Sequence, residues 1–217
     1  MRTLPIVLFV LIAGCSSGGP TSAKALERPT DLPEGWTWHD IAGEKCGFAI
    51  PANWQVSELK EMENQELNIK GNLHDLARGI ATSSANLLKT TGEHGLYARS
   101  EDPIAGVVVV SHRTEREPVD VAEAAGKAAS AIASAPMKSD VPPTSAKVTL
   151  PAGEGRVVIG EFSGASTGQP ELKLPIHRYI WAFGNERFDV LVIGASVGGS
   201  ELPDAEQIAK TFRFSRT

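Results

Sequence analysis

Pro175-Ile176-His177-Arg178-Tyr179-Ile180-Trp181-Ala182-Phe183, then Gly184-Asn185, then Arg187-Phe188-Asp189-Val190-Leu191-Val192-Ile193 run almost without a break late in the chain. Both flanks are rich in β-branched and aromatic residues, which suit a pleated, half-buried surface. Gly184-Asn185 between them is a two-residue hairpin signal. The sequence therefore predicts an antiparallel strand pair here, and the elements upstream are read against it.

Before this hairpin, residues 147–150 continuing through 156–162 read as one more strand. Pro136, Pro142 and Pro143 mark the loop ahead of it. The spacing of Val121, Ala125, Ala128 and Ile132 predicts a helix over 119–134, with Asp120 and Glu123 resembling a capping box at its start. Its many alanines allow a close approach to a sheet. Leu73, Leu76, Ala77, Ile80, Ala81 and Leu88 predict an earlier helix over 73–89, with Asn72 as its N-cap. Pro203-Asp204 opens a last helix over 203–212, with Ala205, Ile208, Ala209 and Phe212 on one face. Shorter strands are expected at 36–38, 46–50, 54–59, 66–69, 96–99 and 106–111. Hairpins broken by a mid-chain and a terminal helix favour an α+β fold, a mainly antiparallel sheet packed with helices, over a doubly wound parallel sheet.

The N-terminus indicates the compartment. Arg2 precedes an apolar run over residues 4–13, which ends in Gly14-Cys15. A basic start, a short apolar core and small residues at the cut make a signal peptide. The run is too short to span a bilayer, which takes about 20 residues. Leu11-Ile12-Ala13-Gly14-Cys15 resembles the lipobox of bacterial lipoproteins. That resemblance implies cleavage before Cys15, a diacylglycerol on its sulfur and an acyl group on its new amino terminus. Ser16 is not the Asp of an inner-membrane retention signal. The expected location is thus extracytoplasmic and lipid-anchored, at the outer membrane facing the periplasm if the cell is Gram-negative.

Three segments follow: residues 1–14 as lipoprotein signal peptide, 15–33 as lipidated cysteine and flexible tether, and 34–217 as a single domain. The tether holds Ser16-Ser17-Gly18-Gly19-Pro20, and Leu26 and Leu32 are its only large apolar residues. Such a segment cannot bury enough surface to offset its ordering entropy. As a flexible coil it would reach roughly 20–25 Å. The domain, at about 180 residues, can bury a core without disulfides or metals. The chain carries a net charge of −5, and removing residues 1–14 takes away one positive charge, Arg2. That acidity argues against nucleic acid as a partner.

Gly47-Phe48-Ala49-Ile50-Pro51-Ala52-Asn53-Trp54 resembles a strand-turn of the PsbP-like family, of the form Gly-Phe-x-Ile-Pro-x-x-Trp. Ala209-Lys210-Thr211-Phe212-Arg213-Phe214 and the late hairpin fit the last elements of that family. The family includes a photosystem II extrinsic subunit, an import factor that binds the Ran GTPase, and bacterial envelope lipoproteins. The resemblance implies an α/β/α sandwich. It implies no single function, because the members do unrelated things.

Chemistry-bearing motifs are few. Gly194-Ala195-Ser196-Val197-Gly198 and Gly164-Ala165-Ser166-Thr167-Gly168 both match G-x-S-x-G. All five histidines (39, 74, 94, 112 and 177) precede Ser196, and His177 follows Ser166 by only 11 residues. Neither arrangement suits the hydrolase order, so no catalytic residue is expected. No His-x-x-x-His pair or Cys/His cluster points to a metal, and no cofactor is expected. Cys46 shares a strand face with Phe48 and Ile50 and reads as a small core residue. Trp36 and Trp38 share a face and form the candidate binding surface.

The expected function is a membrane-anchored, non-catalytic binding or assembly module for an unidentified envelope protein. The alternatives are a binder of a small apolar ligand between sheet and helix, with Trp36, Trp38 or Trp181 lining its cleft, and a small hydrolase using Ser196 or Ser166.

Overall fold

A computed structural model describes residues 26–41, 46–58, 94–99, 106–135, 141–163, 173–194 and 205–215. Among these the chain runs β1 (Trp36–Asp40), β2 (Cys46–Pro51), β3 (Gln55–Glu58), β4 (His94–Arg99) and β5 (Gly106–Thr114). It continues through α1 (Val121–Ala133), β6 (Thr144–Leu150), β7 (Gly153–Ser163), β8 (Lys173–Phe183), β9 (Glu186–Gly194), α2 (Ala205–Thr211) and β10 (Arg213–Phe214). Seven strands form one sheet in the order β3-β4-β5-β9-β8-β7-β6, and three form another in the order β1-β2-β10. Every described pairing is antiparallel. The fold is α+β and mainly antiparallel, as the sequence predicts.

The late hairpin is β8–β9, closed where Phe183 pairs with Glu186. Gly184 has φ 59°, and no described non-glycine residue has positive φ. That is the type II′ arrangement, with glycine at the first central position, and its twist matches that of the flanking strands.

The expected strand through 147–162 is instead a hairpin. β6 and β7 pair antiparallel, and Leu150 lies opposite Gly153. Pro151 fixes φ near −65° and suits the first central position of a turn. Gly153 takes φ 122°, which other residues rarely adopt.

The seven-stranded sheet carries a core on each face because successive side chains alternate. On one face Leu174, Ile176, Ile180, Val158 and Ile193 pack against Ala124, Ala125, Ala128 and Ile132 of α1. The alanines let the helix come close, and Ile132 sits over Gly160, where an added Cβ would meet its Cγ2 at 2.9 Å. On the other face Val108, Val110, Val190, Val192, Tyr179 and Trp181 pack with Phe48 and Ile50 of β2 and with Ile208, Ala209 and Phe212 around α2. The expected helix at 73–89 and strand at 66–69 lie outside the described residues.

Helix α1 begins as its sequence suggests. Asp120 accepts from Ala122 N at 2.7 Å and Glu123 N at 3.2 Å. The reciprocal half of the capping box is absent, because Glu123 turns to Lys127 at 2.7 Å. Such an exposed i,i+4 pair contributes only about 0.3–0.5 kcal/mol.

Just ahead of β10, a side chain extends its ladder. Thr211 Oγ1 accepts from Ala49 N at 2.9 Å and lies 3.2 Å from Ala49 O and 2.7 Å from Ile208 O. Ala49 and Thr211 are both buried, so no water can replace that acceptor. Thr211→Val keeps the shape but strands the Ala49 N–H, and is expected to cost about 1–3 kcal/mol. Thr211→Ser keeps the hydroxyl and loses a methyl, so it should cost less. Urea titrations of the two variants check this ranking.

Candidate functional site

Trp36 and Trp38 are both half-buried on β1. Trp36 packs against the larger core. The Trp38 ring lies on Gly47 of the neighbouring strand, where an added Cβ would come within 2.6 Å of Cζ2. Trp38 Nε1 donates to Asp40 Oδ1 at 2.7 Å, and Asp40 also pairs with Arg28. Residues 26–33, expected as tether, therefore touch the domain edge through Arg28. His39 on the same strand has its pKa lowered by burial, against the opposing effect of Asp40.

Trp181, offered as a cleft-lining residue, is core instead. It is 1% exposed and stacks on Phe212 at 5.0 Å between centroids. Phe188 stacks in turn on Phe214 at 4.4 Å and on His112 at 4.6 Å. Aromatic pairs in such contact add about 0.5–1.5 kcal/mol beyond area burial. Cys46 is fully buried with Phe48 and Ile50, as its strand face indicates. Ser166, Ser196 and Cys15 lie outside the described residues.

The sequence reading passed over a charged site on the α1 face of the sheet. Asp189 is 3% exposed and Arg187 6%. Arg187 Nε reaches Asp189 Oδ2 at 2.8 Å, and its Nη2 reaches Oδ1 at 2.9 Å. Arg178 Nε donates to the same Oδ1 at 2.8 Å. Burial alone would raise the Asp189 pKa. The Arg178 and Arg187 charges and their hydrogen bonds outweigh it and hold the carboxyl below its usual range.

Arg113 sits directly across from Arg187 on β5. Like charges opposite each other destabilise a sheet, and Glu115 offsets this one, with Oε1 2.9 Å from Arg113 Nε. The contact is an ion pair, and the buried Nε makes no hydrogen bond. Above these arginines opens a cleft of about 640 Å³. Its wall includes Arg116, Glu117, Pro118, Val119 and the first turns of α1. Backbone bonds from Glu115 N to Asn185 O and from Val119 N to Gly184 O, both 2.8 Å, hold that wall to the β8–β9 turn.

No family model matches the chain, and no curated protein matches it. Among solved structures it is similar to a protein from Bacteroides thetaiotaomicron, at 11% identity and a TM-score of 0.37. That alignment covers 79% of this chain and 46% of the other, so the chain spans under half the length of that neighbour. A superposition that loose does not establish a common fold.

Proposed function

We propose that the chain is a lipid-anchored extracytoplasmic lipoprotein whose domain works by binding an envelope partner, not by catalysis. The observation that carries this reading is the apolar run ending Ile12-Ala13-Gly14-Cys15. Tethering a domain within a few tens of ångströms of the membrane raises its effective concentration toward membrane-bound partners, which suits a binding role. The charged cleft beside α1 is the first surface for that contact, and the Trp36/Trp38 edge with Arg28 and Asp40 is the second. We further assign the fold to the PsbP-like α/β/α sandwich. The Gly47–Trp54 strand-turn supports this, as do α1 on one face of the large sheet and α2 with the small sheet on the other.

Two measurements on the purified protein test binding against chemistry. Short acyl esters should be turned over at background rate, equally by wild type and by the Ser166→Ala, Ser196→Ala double variant. The anchored protein should capture one envelope partner reproducibly, and charge replacements in the cleft or replacement of Trp38 should abolish that capture without unfolding. Serine-dependent turnover well above background would overturn the reading.

A further inference from the structure

The cleft beside α1 shows an imbalance beneath its mixed-charge lining. Asp189 is one carboxylate facing two guanidinium groups, Arg178 and Arg187, in a mostly dry environment. The three together carry one excess positive charge. Arg187 uses Nε and Nη2 on Asp189, and its Nη1 makes no hydrogen bond among the described residues. Directly across the strand pair, Arg113 has its Nε buried against Glu115 Oε1 at 2.9 Å. Two adjacent arginines thus line the cleft, Arg187 held rigidly from behind by Asp189 with Nη1 left over, and Arg113 held through Nε by Glu115 with its two Nη groups making no hydrogen bond among the described residues.

We infer that this cleft is a carboxylate-binding site, in which Arg187 and Arg113 receive an acidic side chain from a partner peptide. The inference rests on the binding reading above and names its chemistry. The guanidinium fork matches a planar carboxylate in two parallel hydrogen bonds. A largely buried guanidinium that must share one carboxylate, Asp189, with Arg178 gains from a second carboxylate supplied by a partner.

The acidic residues of the wall favour a monoanion over a dianion. Glu115 and Glu117 line the same cleft, so a dianion such as phosphate would meet repulsion that a monoanion largely avoids. The N-terminus of α1 is not the recognition element, since Asp120 already occupies the Ala122 and Glu123 N–H groups. Pro118, Val119 and Ala124 give the peptide an apolar strip beside its acidic residue. Arg116, Glu117 and the Lys127–Glu123 pair form a polar rim around it.

The test uses the mature full-length protein in detergent and fluorescence anisotropy. Two probes are compared, a blocked, dye-labelled peptide with one glutamate among small apolar residues and its glutamine twin, with inorganic phosphate and acetate as competitors. The glutamate peptide should bind at least about tenfold tighter than its twin, a preference of roughly 1.4 kcal/mol. Arg113→Gln should erase that preference while circular dichroism shows an intact fold. Arg187→Lys should weaken it by losing the fork, and because this variant risks the buried network, the Arg113 result decides. Equal binding of the two peptides, no binding of the glutamate peptide, or displacement by phosphate more readily than by acetate would each overturn the inference. The anchored-module reading is judged separately, by partner capture and by the ester assay, so the two failures are distinguishable.

Discussion

Replacing Asp189 with alanine is expected to cost about 3–5 kcal/mol of folding stability, the range for removing one partner of a buried ion pair. The cost comes less from the lost bonds than from what remains. Arg187 is 6% exposed, and without Asp189 its charge would stay in a nearly dry site with no counter-ion. Arg113 across the strand would then face it with only Glu115 to offset the repulsion. Asp189→Asn keeps the shape but not the charge and should cost a large part of the same amount. Replacing all three, with Arg178→Met, Arg187→Met and Asp189→Leu, should recover much of the loss, because an apolar cluster needs no counter-charge.

The pH dependence follows from the sign of the shift. The Asp189 carboxyl is held below its ordinary value in the folded chain, after the two arginines overcome desolvation. Its contribution is therefore fully present above the unfolded carboxylate pKa and is lost as pH falls through the lower folded value. Urea unfolding at neutral pH, and again well below pH about 4, should show the wild-type advantage over Asp189→Asn shrinking in acid. An advantage that is unchanged in acid, or a neutral-pH cost under about 1 kcal/mol, would contradict the network described.

Two glycine replacements should act in opposite directions. A Cβ at Gly155 would lie 2.6 Å from Ile180 O and 2.8 Å from the Trp181 ring. Neither neighbour can yield easily, since one is backbone of β8 and the other is a buried ring stacked on Phe212. Gly155→Ala is expected to cost about 1–3 kcal/mol or more, as overpacking does. Gly126 is an exposed residue inside α1 with nothing within 4 Å of the same position. Gly126→Ala should stabilise by roughly 0.5–1 kcal/mol, because glycine loses more backbone freedom on folding than alanine. Thermal melts of the two single variants check both signs at once.

Local chemistry made part of this fold legible. The type II′ hairpin, the Asp120 cap and the alanine face of α1 each depend on a few neighbouring residues, and all three were readable. The Pro151-Ala152-Gly153 turn carried its own signal, but the apolar residues on both sides suggested one continuous strand. The division into two sheets was not readable. β2 and β3 are separated by only a short turn yet join different sheets. β2 also takes its partner β10 from the far end of the chain. Such pairing is settled by packing of distant residues, which spacing along the sequence does not report. The charged site had a visible trace: Arg187 and Asp189 sit two apart, on one face of a strand that is otherwise apolar after Glu186. Its meaning required Arg178 and Arg113, which neighbouring strands supply.

We propose that this domain sits at a membrane through lipid on Cys15. The most direct measurement is the mass of the N-terminal peptide of the mature protein, with membrane fractionation of a Cys15→Ser variant beside it. The expected peptide begins at Cys15 and carries acyl chains, and the expected variant leaves the membrane fraction. More than one chain is expected, because a single chain anchors only marginally. An unmodified Cys15 in the mature chain, together with a Cys15→Ser variant that stays fully membrane-bound, would contradict it.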